Sequence, residues 1–120
     1  MADDQPRPET LLPLQAATFH ILMALAEGDQ HGYAIIQHVA ARTNGEVRLS
    51  AGTLYRSIQR MLDQELIEEL HRRPAPEQDD ERRRYYRITT FGEAVARAEA
   101  ARLADLVKLA RASGLVPRRA

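Results

Sequence analysis

The residues of this chain best suited to recognition chemistry share one side of the segment from about Ala51 to Glu65. At about 100° per residue, Leu54, Ile58, Met61 and Leu62 form a single apolar stripe. The opposite face carries Gly52, Thr53, Arg56, Gln59, Arg60 and Asp63, with Tyr55 on its flank. That set can read the edges of base pairs. Arg56 can donate to guanine O6 and N7, Gln59 can pair with adenine, and Gly52 lets the backbone approach closely. Ser50 is the natural N-cap, and with Thr53 it suits a phosphate oxygen at the start of the helix. Any amphipathic surface helix shows such a face, so the segment alone does not decide the matter.

A second cluster adds to it. Arg82, Arg83 and Arg84 stand opposite Arg72 and Arg73 across a loop, Pro74 to Glu81, that no regular element can span. Arg72, Arg83 and Arg84 are the expected phosphate contacts, which position a protein on a duplex without reading its sequence. The competing view is a solvated loop whose Glu77, Asp79, Asp80 and Glu81 neutralise those arginines. The strand arginines should therefore matter more than the acidic tip. Tyr33 and Tyr55 can each place a hydroxyl on phosphate, whereas Tyr86, between arginines and Ile88, suits a core.

Other chemistries lack their parts. There are no cysteines, which removes disulfides and thiolate metal sites. His20, His31, His38 and His71 are scattered with no carboxylate-flanked helical pair, so neither a metal nor a cofactor is expected. Glu68 and Glu69 lie beside arginines with no serine-centred or glycine-rich motif, and no enzyme is predicted.

The elements that must hold these residues follow from periodicity and caps. Leu14, Ala17, Ile21, Leu22 and Leu25 mark a first helix, on which Phe19, Met23 and Ala26 form a second apolar stripe. Glu27-Gly28-Asp29 breaks it, and His31-Gly32 continues the turn. A second helix runs from Tyr33 to about Thr43, where Asn44-Gly45 accept the left-handed conformation. After the third helix, Leu66–Arg73 and Arg82–Thr89 favour strands. Thr90 then caps a helix of about twenty residues that Gly114 stops. The expected fold is mainly α with a small β-hairpin: a winged helix-turn-helix followed by a C-terminal dimerisation helix. The expected division is an N-terminal mobile arm at 1–13, the winged unit at 14–89, the long helix at 90–113 and a frayed tail at 114–120.

A chain of 120 residues with 44% apolar and 28% charged residues fits one domain of ordinary globular balance. It also leaves a surplus of apolar surface. Phe19 and Met23 on the first helix, with Val95, Leu103, Leu106 and Leu109 on the last, exceed what one small domain covers, which predicts a homodimer. Two recognition helices would then face half-sites about 34 Å apart. Lysine plus arginine and aspartate plus glutamate both number 17, so formal net charge is zero and only a local patch can attract phosphate. Lys108 is the only lysine, so the heavy use of arginine is no evidence by itself. Neither a secretory leader nor a membrane span is legible, and the cytoplasm is the expected compartment.

Several separated motifs occur in one order: His31-Gly32-Tyr33-Ala34-Ile35, Leu49-Ser50-Ala51-Gly52-Thr53-Leu54-Tyr55, Leu66-Ile67, and Arg83-Arg84-Tyr85-Tyr86-Arg87-Ile88-Thr89 followed by Gly92. Over about residues 14–112 the chain resembles the PadR-like transcriptional regulators, in their compact branch with a single C-terminal helix. The resemblance implies a homodimeric winged-helix regulator, mostly a repressor, in which Tyr33, Ser50, Thr53, Tyr55 and the wing arginines meet a double-stranded operator. It also implies a small-molecule effector held between subunits, in some members against tryptophan, which this chain lacks. Arg56 stands where the family often has proline, Phe91 likewise, and Glu65 replaces a usual glycine, so a different helix cap is expected there. A different class stays open: a winged-helix protein-interaction module without specific DNA binding, favoured by the acidic loop and neutral net charge.

Overall fold

A computed structural model describes residues 5–70 and 84–116. A 3-10 turn at Pro8–Leu11 leads into α1 (Ala16–Ala26), β1 (Gln30–His31), α2 (Gly32–Arg42), α3 (Ala51–Asp63), β2 (Ile67–Leu70), β3 (Tyr85–Ile88) and α4 (Thr90–Ala112). The fold is mainly helical with a small antiparallel sheet, a winged helix with a long final helix, as the sequence suggested. The segment expected as a mobile arm contains that 3-10 turn, which packs against α4.

The sheet has three strands in the order β1-β3-β2. β3 pairs with β2 in the register Ile67↔Ile88 to Leu70↔Tyr85, and with β1 through Gln30↔Tyr86 and His31↔Tyr85. Thus Gln30-His31, expected as part of a turn, is a short strand. Arg87 secures it from the side, donating Nε and Nη2 to the Asp29 carboxylate at 3.2 and 2.9 Å.

One core holds the elements together. Ile21, Leu22 and Leu25 of α1, Ile35 and Val39 of α2, Leu54, Ile58 and Met61 of α3, and Leu66, Ile67, Tyr86 and Ile88 around the hairpin are all buried. Phe91 and Val95 of α4 close it. Val95 is fully buried inside this chain, so it has no surface to offer a second subunit; the expectation that it serves dimerisation is corrected. Apolar periodicity marks a buried face without saying whose neighbour buries it.

Helix ends follow cap chemistry. The Ser50 hydroxyl accepts from the Thr53 N–H at 3.1 Å, as expected of an N-cap. The cap of α4 is Thr89, one residue earlier than expected. Its hydroxyl accepts from the Gly92 N–H at 2.9 Å and donates back to the Glu65 carbonyl at 2.7 Å, tying α4 to the α3–β2 junction. Gly92 must be glycine there, because a β-carbon would fall 2.0 Å from the Leu66 carbonyl oxygen. Asn44 (φ 54°) and Gly114 (φ 77°) end α2 and α4 in the left-handed region, as their types foretold.

Glu65 does the same at the end of α3, with φ 62°. Its N–H donates to the Leu62 carbonyl at 3.1 Å, and the Leu66 N–H donates to Met61 at 2.9 Å. The glycine-type cap is therefore kept, and the expectation of a different one is corrected. Burial of Leu66 and Met61 fixes the backbone, and the side chain at 65 tolerates it.

Candidate nucleic-acid interface

The candidate interface begins with α3, whose two faces are sharply divided. Leu54, Ser57, Ile58 and Met61 are buried, while Gly52, Tyr55, Arg56, Gln59 and Arg60 are exposed and Thr53 is half-buried. Among the described residues nothing covers the outward face. Side chains on a helix lean toward its N-terminus. Arg56 does so here: a β-carbon built on Gly52 would touch its Nη1 at 3.3 Å, so the guanidinium lies over the first turn. A cation with five donors thus sits where a groove-seated helix meets base edges. Gln59 donates its amide to Asp63 Oδ1 at 3.3 Å, one turn on.

The turn before α2 braces this helix. His31 Nδ1 accepts from the Ala34 N–H at 3.1 Å and so caps α2, while its ring meets Tyr85 edge-on with centroids 5.3 Å apart. Capping there brings Gly32 under Tyr55, whose hydroxyl lies against the Gly32 α-carbon. Tyr33 and Tyr55 remain 61% and 46% exposed, enough to place both phenols at the surface, whereas Tyr86 is buried as its position suggested. Burial, then the nearby Glu69 carboxylate, raises the Tyr86 hydroxyl above its ordinary pKa, so it stays protonated.

On the wing side, Arg84 is exposed and its Nε lies 3.7 Å from Glu69 Oε2. Arg72 and Arg83, also expected to meet phosphate, lie outside the described residues. Tyr55, Ile58, Gln59 and Leu62 of α3 face Glu69, Arg84 and Tyr86 across a groove of about 530 Å³. The recognition helix and the root of the wing therefore share one concave surface. Sequence reasoning placed Tyr55, Gln59 and Arg84 on this surface, but read Gly32 only as part of a turn and gave no role to Glu69. The HGY run signalled the first; only strand pairing reveals the second.

The surfaces expected to meet a second subunit lie elsewhere. Phe19 is half-buried and Met23 is 40% exposed; with Ala26, Ala96 and Ala100 they line a groove of about 300 Å³ between α1 and α4. Leu103 is half-buried, and Leu106 and Leu109 are 47% and 64% exposed on the last turns of α4. Among the described residues no group of histidine and carboxylate side chains could hold a metal ion, and no helix is long and apolar enough to cross a membrane.

The model of the transcriptional regulator PadR-like family matches residues 21–98, from α1 through α3 and the hairpin into α4. An uncharacterized protein from Lysinibacillus sphaericus is 36% identical over 88 residues, which is 73% of this chain and 72% of that relative. Among solved structures, a transcriptional regulator from Clostridium thermocellum superposes with a TM-score of 0.68 at 25% identity, over 79% of this chain and 86% of that one. A PadR family transcription regulator from Clostridium difficile gives 0.66 at 26% identity, over 81% and 96%.

Proposed function

The chain belongs to the PadR-like family of transcriptional regulators, and we propose that it acts in the cytoplasm as a repressor, binding a palindromic operator as a homodimer until a small-molecule effector releases it. The observation that carries this reading is the outward face of α3, exposed among the described residues, with Arg56 folded over its first turn. In this reading Arg56 and Gln59 contact base edges and Gly52 permits close approach. Ser50, Thr53, Tyr33, Tyr55 and Arg60 meet the backbone beside them, and Arg84, with Arg72 and Arg83, meets phosphate from the wing.

Exposed leucines support the dimer. Among the described residues, Leu106, Val107 and Leu109 near the end of α4 are exposed. A second copy would cover them, and the α1–α4 groove with Phe19 and Met23 is the complementary apolar surface. The same groove, rimmed by Glu93 and Arg97, offers an effector an apolar pocket with two charged anchors.

The test is a mobility-shift titration on DNA upstream of the protein's own gene, at two salt concentrations. Specific, salt-sensitive binding supports the reading. Arg56→Ala should cost about 5- to 150-fold in preference for the operator over unrelated DNA, the worth of one bidentate base contact. Undiminished preference would remove Arg56 from the reading face, and absence of any binding would favour a protein-interaction module instead.

A further inference from the structure

We propose that Glu69 competes with the DNA backbone for the Arg84 guanidinium, and so sets how strongly the wing grips phosphate irrespective of sequence. The inference rests on the DNA-binding reading above. Glu69 is opposite Tyr86 in the β2–β3 ladder, and Arg84 precedes Tyr86 by two residues. Residues two apart in extended chain project to the same face. All three therefore line the groove that α3 closes from the other side, and Arg84 Nε lies 3.7 Å from Glu69 Oε2.

A carboxylate and a phosphate ask the same thing of a guanidinium: a negative charge and oxygens placed to accept from its fork of donors. Glu69 already supplies the charge, with an oxygen at ion-pair distance from Arg84. For Arg84 to take a phosphate it must turn from Glu69, and the phosphate then approaches a carboxylate no longer neutralised. Both effects oppose backbone binding on every duplex alike. The neutral net charge points the same way, since little long-range attraction makes up the difference. Arg84 is two-thirds exposed at its side chain and Glu69 one-third, so the pair is open to exchange with solvent ions rather than locked in the core.

The experiment is fluorescence anisotropy with the full chain, on the upstream fragment and on a random-sequence duplex, across a salt series. Glu69→Gln keeps shape and removes charge. It should tighten binding to both duplexes by about two- to fivefold, the scale of one exposed ion pair. It should also steepen the slope of log K against log salt by about 1, as Arg84 becomes free to neutralise one phosphate. In an Arg84→Ala background the same change should give a smaller gain, from relieved repulsion alone, and leave the salt slope unchanged. An unchanged affinity and slope in Glu69→Gln, or a gain and steeper slope that survive Arg84→Ala undiminished, overturns the proposal. If the unaltered chain binds neither duplex, the regulator reading itself falls; if it binds with a salt slope and Glu69→Gln matches it, only the role of Glu69 falls.

Discussion

The Tyr55 hydroxyl rests on the α-carbon of Gly32, so closely that a methyl group there would sit 2.5 Å from the oxygen and 3.0 Å from Cζ. This contact joins the first turn of α2 to the outward flank of α3, and it sets the angle at which the candidate reading face is presented. Gly32 is buried, and Leu54 Cδ2 would be 3.1 Å from the same methyl group, so little room exists for relaxation. Gly32→Ala is expected to destabilise the chain by about 1–3 kcal/mol, the usual cost of overfilling a close-packed site. Tyr55→Ala should remove most of that penalty, so the double variant should lose less than the sum of the singles in urea unfolding. Additive losses would mean that Tyr55 is not what excludes a side chain at position 32.

Glu65 offers a change in the opposite direction. Its φ of 62° holds a side chain in a region that glycine occupies freely. The two backbone bonds that close α3, from Glu65 to Leu62 and from Leu66 to Met61, need only the backbone. Glu65→Gly should therefore raise stability, by about 0.5–1 kcal/mol once the greater freedom of glycine in the unfolded chain is deducted. A rise in the urea midpoint with an unchanged slope checks it. A fall would show that the Glu65 side chain makes a contribution larger than its strain.

These two positions show what the sequence could and could not disclose. The Ser50 cap, the divided faces of α3 and the glycine and asparagine ends of helices were legible because each depends on near neighbours. β1 was not, since Gln30 and His31 become a strand only by pairing with Tyr86 and Tyr85, more than fifty residues away. Val95 was misassigned for a related reason: the last helix carries two apolar sets, and only the tertiary fold shows that Val95 belongs inside while Leu106 and Leu109 lie outside. Glu65 looked like a departure from a glycine cap, yet burial on either side imposed the same backbone regardless of residue type. The pairing of Glu69 with Arg84 is likewise a product of strand register, invisible to any count of charges along the chain.

The outer leucines of α4 give a direct test of assembly. Leu106 is 47% and Leu109 64% exposed, and neither belongs to the hydrophobic core. If the proposed homodimer forms through them, replacing both by aspartate should leave the secondary structure intact while abolishing that dimer in sedimentation or light scattering. Operator affinity should then fall by about a hundredfold or more, since two half-sites would no longer be held by one particle. A double variant that stays dimeric would place the subunit contact elsewhere.

Acid should loosen the chain partly through one buried carboxylate. Glu99 of α4 is 2% exposed and accepts from Arg102 Nε at 2.8 Å and Nη2 at 2.9 Å. Hydrogen bonding from Arg102 holds its pKa below the ordinary 4.5, against the opposing pull of burial, and the Leu14 backbone adds to the lowering. Because the folded pKa lies below the unfolded one, the stabilisation is full above 4.5 and is lost as pH falls through the lower value. Glu99→Gln has nothing to titrate, so it should be less stable than the unaltered chain near neutrality, and the gap should narrow as pH falls below 4.5. Comparing urea midpoints of the two chains down the acid range isolates this group from the other carboxylates, which both chains share. A gap of constant size would show that Glu99 contributes through shape rather than charge.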